Sequence, residues 1–558
     1  MKHIIRILPL FLMAMAGNLH AQDLSQWGQA HSALHGSITS TGNYYNALGT
    51  DPRRDPFSGV ITGNFTLTLK GFSMPFSFSY SNQNKTFRHP FNQLGLSPRY
   101  KWATLHLGYR NIRFSRFVLG GHTVLGAGLE LRPGKFRFGF VYGRLKRATN
   151  TAVNIFKPVN DTLMEFDRKM MSMKIGFGTE RSFLDLILLR AYDDTLKFTG
   201  EYARKDVFPA ANIVAGLHTR LQLGKRWRME AEVAASVYTD NQKALIQVND
   251  VPEWTRRWIP VNASTSFKTA AEGKIDYQNG KGFSVGLHYR RIEPDYRSMG
   301  TYFITNDVEN ITLKTGFRAL KNKMQVSGSI GLERNNLQTV RNATTRKTVG
   351  SVQLHYQPAA HFGLTATYAN YSINQQAGRV QIADSVKLYQ TNGTMMISPH
   401  LSFMSKNKKV QHFISGVLTR MQLTDHNPQS VYSTGFTTLN GMLSYNLSVV
   451  PSGWRFMLSI NRNHVKMQAG NSDNRGATVG INKGFKKQKI NLGMQLTYLQ
   501  SMSVNGTRQI LTPVLQGRMQ LGKHHSISMK INMIMNNDTA WQSLSTEQFG
   551  MMRYVFQF

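Results

Sequence analysis

The chain has no cysteine, which excludes a thiol nucleophile, a disulfide framework and a lipidated N-terminal cysteine. Nor has it an apolar run long enough to cross a bilayer as a helix, which takes about 20 residues. Its most apolar stretch, Phe183 to Leu189, is interrupted by Asp185 and stops at Arg190. An inner-membrane helical protein is thereby excluded. Acid is scarce: 30 Asp and Glu stand against 67 Lys and Arg, a formal charge of +37. Such a balance fits nucleic acid, a membrane surface or an acidic ligand.

The first residues choose among these partners. Met1, Lys2 and Arg6 form a basic start, Ile7 to Ala16 an apolar core too short to span, and Leu19-His20-Ala21 a cleavage site before Gln22. This is the pattern of a cleavable export signal, and it removes nucleic acid from consideration.

The dominant signal after it is period two, the mark of strands with one apolar and one polar face. Phe136, Phe138, Phe140 and Tyr142 share a face opposite Arg137, Gly139 and Gly143. Trp227, Met229, Ala231, Val233, Ala235 and Val237 oppose Arg228, Glu230, Glu232 and Ser236. Runs of about 10 to 14 residues suit tilted outer-membrane strands, whereas soluble strands are mostly about 5 or 6. Short turns, such as Arg132 to Lys135, Gly224 to Arg226 and Lys406 to Lys409, alternate with longer polar loops near 146–167, 193–211, 240–261, 292–307, 335–346, 374–392 and 425–434. Short turns facing the periplasm and long loops facing outside is the outer-membrane pattern.

Counting back from Phe558 gives an all-β, transmembrane antiparallel β-barrel of about 22 strands beginning near Arg99, an even number as single-chain bacterial barrels require. Upstream the parity fails. Phe65 to Leu69 and Phe72 to Tyr80 form two alternating runs separated by Lys70-Gly71, so residues 60–82 read as a hairpin inside the lumen or below it. The expected organisation is residues 1–21 as signal peptide, 22–98 as lead-in and plug-like hairpin insert, and 99–558 as barrel.

Tyr554, Phe556 and Phe558 place three aromatics on one face of the last strand, the expected signal for the barrel-insertion machinery. Trp102, Tyr109, Trp227, Tyr238, Trp454 and Tyr498 fall near strand ends, where amphipathic rings suit headgroups. Lys225, Arg226, Lys321, Lys323, Lys408 and Lys487 crowd the short turns, against anionic lipid headgroups or a periplasmic partner. The inward face is expected to carry Arg110, Arg137, His218, Arg220, Arg228, Lys268, Lys274, His288, Arg290, Lys314, Arg318, Arg455 and Lys530 as pore-lining cations. They outnumber Glu230, Glu232, Glu272, Asp276 and Glu333, and a narrow basic lumen attracts anions. Pairing such as Arg228 with Glu230 is the competing reading, since a wide polar interior needs charges in any case.

None of the 17 histidines sits in the Ser/His or Asp/His surroundings of barrel hydrolases. The chain is expected to be no enzyme and to hold no metal or cofactor.

The stretch Arg291-Ile292-Glu293-Pro294-Asp295-Tyr296-Arg297-Ser298-Met299-Gly300, with Tyr302 and Asn306-Asp307, and the stretch Pro90 to Pro98 resemble large outer-membrane barrel proteins of Bacteroidota. The resemblance implies a phylum and a cell outer membrane, not a substrate. TonB-dependent transporters also have 22 strands, but Gln22 to Pro98 is too short for their globular plug. The expected function is a porin-like or specialised translocation channel, with the hairpin narrowing or gating it. A surface adhesin or assembly platform, or the barrel of a secretion machine, remains open.

Overall fold

The computed structural model describes residues 33–69, 71–82, 93–148, 166–195, 208–246, 252–379, 383–429, 435–468, 470–504, 506–539 and 543–558. The expected signal peptide, residues 1–21, the start of the expected lead-in, and Pro90 to Asn92 lie outside the described residues.

The chain opens with β1 (Ala33–Leu48), β2 (Phe57–Leu69), β3 (Phe72–Ser81), β4 (Gln93–Leu96), β5 (Arg99–Tyr100) and β6 (Ala103–Asn111). It continues with β7 (Thr123–Leu131), β8 (Phe136–Lys146), β9 (Asp167–Gly178), β10 (Phe183–Asp194), β11 (Ala211–Leu223), β12 (Trp227–Thr239), β13 (Thr265–Gln278), β14 (Ser284–Ile292), β15 (Val308–Ala319) and β16 (Met324–Arg334). Then come β17 (Ala343–Ala359), β18 (Phe362–Ala377), β19 (Tyr389–Met404), β20 (Val410–Asp425), β21 (Phe436–Val449) and β22 (Trp454–Met467). The last are β23 (Gly470–Phe485), β24 (Ile490–Ser503), β25 (Gly506–Leu521), β26 (His525–Asp538) and β27 (Ser543–Gln557).

Consecutive strands pair antiparallel. β4 and β5 both lie between β3 and β6. They are one strand broken at Ser97-Pro98, where proline has no N–H to give the ladder. β27 pairs back onto β1, from Ser37↔Gln557 to Leu48↔Thr546, which closes a barrel of 26 strands. Closure leaves no free sheet edge. At the seam the Gly36 N–H donates to the Phe558 carbonyl at 2.9 Å and the Phe558 N–H returns a bond to Gly36 at 3.1 Å.

The count of 22 is therefore corrected to 26: β6 to β27 are the strands read from the sequence, and β1, β2, β3 and the broken strand are added to them. Residues 60–82 are not a hairpin in the lumen but β2 and β3 of the wall, hydrogen-bonded to β1 on one side and to β4 and β5 on the other. The parity conflict came from the missed broken strand. With it in place, the turn between β2 and β3 falls at the same end as the other short turns.

Alternation sorts the two faces. On β10, Leu184 and Leu186 are half exposed, whereas Asp185 and Ile187 are buried. The register carries this division around the ring, so Phe65, Phe76, Leu217, Val233 and Leu287 look outward and Ser, Thr, Asn and charged residues look inward. Burying apolar surface against lipid replaces the core of a soluble protein. Trp102, Trp227 and Trp454 are exposed at the short-turn end. Tyr238 leaves that girdle: it faces the lumen beneath the Arg297 guanidinium, 5.3 Å from its ring.

Candidate functional site: a lumen filled along one side

Two connections at the long-loop end turn into the barrel instead of away from it. One is residues 112–122, between β6 and β7; the other is residues 293–307, between β14 and β15. Phe117, Val118 and Leu119 are completely buried, and Tyr296 and Met299 nearly so. They pack against inward residues of consecutive strands, including Val141 of β8, Met170 of β9, Ile187 and Leu189 of β10, Val214 of β11 and Ala270 of β13. This is the larger of two buried hydrophobic clusters among the described residues, and it lies inside the barrel against one arc of the wall.

Small residues in that arc make the seats. A Cβ at Gly216 would stand 2.5 Å from a Val118 methyl, and one at Gly139 would stand 2.7 Å from the Phe114 ring. Gly300 is the matching close approach between the two segments, because a Cβ there would collide with the Val118 carbonyl and with Leu189.

Polar pairs fix what packing alone leaves free. The Glu232 carboxylate of β12 accepts the backbone N–H of Phe117 at 2.8 Å and of Arg116 at 3.2 Å. Arg116 reaches Glu272 of β13 at 2.6 Å. Tyr296 donates its hydroxyl to the Phe117 carbonyl at 3.0 Å and Ser298 donates to the Val118 carbonyl at 2.8 Å. Burial pushes the Tyr296 phenol far above its ordinary range, so it acts as a neutral donor. Asn212 of β11, fully buried, donates to the Ser236 hydroxyl at 2.8 Å and to the Val237 carbonyl at 2.9 Å, and accepts the Met299 N–H at 3.0 Å. Ser236 in turn donates to the Arg297 carbonyl at 2.6 Å.

The rest of the lumen differs. From Ala343 to Phe558, only Asp538 has a buried side chain among the described residues. The inner faces of β17 to β27 carry Ser, Thr, Asn and Gln among scattered apolar and charged residues, and none of their side chains but Asp538 is fully covered.

The expected pore-lining cations fall into a paired and an unpaired set. Arg137 is forked onto Asp185 at 2.7 and 2.8 Å. Arg220 bonds Glu230 at 3.0 and 3.2 Å, with Arg228 at 3.8 Å from the same carboxylate. Lys274 meets Glu272 at 2.9 Å and Arg290 lies 3.8 Å from Glu333. Here the pairing reading holds. Lys268, Lys314, Arg318, Arg455 and Lys530 have no carboxylate within ion-pair distance among the described residues. Arg455 and Lys530 stand on the open side, with Arg518 and Arg553 on the same inner face by register. Lys530 also lines a recess of about 1130 Å³ at the β1–β27 seam, with Arg53 and Arg54 above it.

Tyr554, Phe556 and Phe558 lie on the outward face of β27, with Phe556 stacked on His525 at 4.8 Å and 5.2 Å from Phe558. Among the described residues no group of three or more His, Asp or Glu is placed to hold a metal ion.

Sequence reasoning missed residues 112–122 as a connection at all. The available signal was three consecutive apolar residues, Phe117-Val118-Leu119, followed by Gly120-Gly121, where a polar surface loop was due. In sequence, residues 292–307 read as a polar loop facing outside, and 291–300 as a resemblance; the loop instead turns inward, where Tyr296 and Met299 are buried.

The fold and the lumen define the class, a closed transmembrane β-barrel of the outer-membrane type. No family model and no curated protein sequence matches the chain. Solved structures it resembles include OccAB2 of Acinetobacter baumannii, at 9% identity over 94% of this chain and 98% of that one, with a TM-score of 0.32. Another is OccK2 (OpdF) of Pseudomonas aeruginosa in complex with glucuronate, at 10% over 94% and 98%, TM-score 0.29. The FrpB iron transporter of Neisseria meningitidis stands at 10% over 97% and 83%, TM-score 0.39. Likeness this loose carries no inference about substrate or mechanism.

Proposed function

We propose that the chain is a porin-like channel of a Gram-negative outer membrane, in the Bacteroidota that the sequence resembles, and that it passes small hydrophilic solutes with a preference for anions. The observation that carries this reading is the division of the lumen. Residues 112–122 and 293–307 narrow one side, while the side faced by β17 to β27 is polar and solvent-lined. Barrels of 16 to 18 strands already leave an aqueous channel, and this ring is larger. Unpaired Arg455, Arg518, Lys530 and Arg553 on the open side add positive potential, which a low-dielectric wall concentrates.

Planar-bilayer recording tests it. The purified barrel is expected to conduct, with a reversal potential on the anion-selective side. Changing Arg455, Arg518 and Lys530 to Gln is expected to move that potential toward cations. Neutralising a closed pair, Arg137→Gln with Asp185→Asn, is expected to leave it in place. Replacing 293–307 by a short Gly-Ser connection is expected to raise conductance. A barrel that stays silent in both the native and the widened form overturns the channel reading and favours a surface platform.

A further inference from the structure

The outward wall of β19 to β23 carries a feature that conduction does not use. Gly416 and Gly441 leave a gap in the apolar surface between Leu418, Leu443 and Ile460, a trough of about 530 Å³ that ends at Arg462. Arg462 is directly opposite Arg475 on the next strand. Both guanidiniums are forked onto one carboxylate, Asp473: Arg462 at 2.9 and 3.0 Å, Arg475 at 2.8 and 2.9 Å. Each uses Nε and Nη2 for this, and neither Nη1 makes a hydrogen bond among the described residues. Asp473 is largely covered at 13% exposure, while Arg462 and Arg475 keep 59% and 55%. Arg420 and Lys466 share this face and end of the barrel, with His464 between them by register. Two fixed guanidiniums thus share one carboxylate on the outward side of the barrel at the long-loop end, with His464 Nδ1 3.8 Å from the same carboxylate.

The height of the cluster matters. Arg462 is eight residues along β22 from Trp454, which at about 3.4 Å per residue and a tilt near 40° is roughly 20 Å along the membrane normal. With Trp454 at the short-turn interface, the cluster sits near the opposite edge of a hydrocarbon band about 25 Å tall. Charges on the lipid face are costly at mid-bilayer and nearly free only at such an edge. An exposed ion pair there adds little stability by itself. A guanidinium pair held side by side by a shared carboxylate is, however, a prepared receptor for the tetrahedral oxygens of a phosphate.

We propose that this face binds a phosphorylated glycolipid of the outer leaflet, its phosphate on Arg462 and Arg475 and an acyl chain in the Gly416–Gly441 trough. The proposal rests on the outer-membrane location, not on conduction, so loss of lipid binding with unchanged current separates the two.

The test uses the intact barrel in detergent and native mass spectrometry, with diphosphorylated lipid A, its dephosphorylated form and inorganic phosphate as probes. The phosphorylated lipid is expected to be retained at least tenfold better than the dephosphorylated one. Arg462→Gln with Arg475→Gln should abolish that preference. Asp473→Asn should also weaken it, although it makes the cluster more positive, because the forks are released. Gly441→Leu fills the trough without touching a charge; its Cβ would meet nothing nearer than Leu418 at 3.9 Å, so it folds, and it should weaken both lipids. Equal retention of the two lipids by the native barrel overturns the proposal. Unaltered retention in Gly441→Leu overturns it as well, even if the arginine variants fail to assemble. Displacement of the lipid by inorganic phosphate at equal concentration would make this an anion site and not a lipid site, again overturning it.

Discussion

Single residues decide where the inward segments sit. Gly300 has no room for a side chain, so Gly300→Val is expected to free residues 293–307 while the 26-strand wall still forms. Limited proteolysis should then cut within 293–307 in a barrel that keeps its heat-modifiable gel mobility. Asn212→Ala leaves the Met299 N–H without its partner inside the barrel, a loss of about 1–3 kcal/mol for a buried donor, read as faster hydrogen exchange at Met299. Tyr296 adds a pH dependence whose sign follows from its raised phenol. When the segment is released the phenol titrates near its ordinary value of about 10; when docked it holds its proton higher. Docking is therefore undiminished below about pH 10 and weakens as pH rises above it. Tyr296→Phe should remove that contribution, measured as the pH at which residues 293–307 become protease-sensitive. None of these roles is visible from composition, because a buried Asn and an ordinary strand Asn are the same letter until the loop that covers it is known.

At the scale of elements, the sequence shows β6 to β27 clearly. Outward Phe and Leu alternate with inward polar residues there, and turns such as Lys406 to Lys409 punctuate them. It shows β2 and β3 as alternating runs but misplaces them, and it hides β1 and the broken strand for separate physical reasons. β1 is rich in Gly, Ser and Asn, so its alternation is faint although its backbone pairs normally with β2 and β27. The strand of β4 and β5 is split by Ser97-Pro98 into pieces of four and two residues, each below what a periodic reading can register. A lumen hairpin could be deleted to open a pore, but residues 60–82 carry the bonds between β1 and the broken strand. Their deletion is expected to abolish assembly, seen as loss of the heat-modifiable band and not as higher conductance. The inward connections were illegible for another reason: pattern gives a loop's length, whereas its direction depends on seats such as Gly216 and Gly139 on strands far away in sequence.

Across the whole molecule, the inward cations fall into a set held on carboxylates, such as Arg137, Arg220 and Arg508, and a set without one, such as Lys268, Arg455 and Lys530. The number of inward cations overstates the field inside the pore, since Arg137, Arg220, Lys274 and Arg290 lie against carboxylates. What remains is concentrated where solvent has access. Selectivity from such charges is screened, with a Debye length of about 10 Å at 0.1 M salt and about 3 Å at 1 M. The anion preference is accordingly expected to fall as salt rises from 0.1 to 1 M, while conductance rises. A preference unchanged over that range would place its origin in close contacts and not in the field.

The one-sided filling also has a mechanical side. A closed strand wall resists stretching along its hydrogen bonds but bends more easily around its circumference. From β8 to β13 that wall is backed by a packed layer of Phe117, Leu119, Tyr296 and Met299, and from β17 to β27 it is a single sheet. Under lateral pressure from a thicker or stiffer membrane, the cross-section should flatten by yielding along the unbacked arc, while the keel formed by the two segments keeps its curvature. The route past the keel would then be set partly by the membrane that holds the barrel.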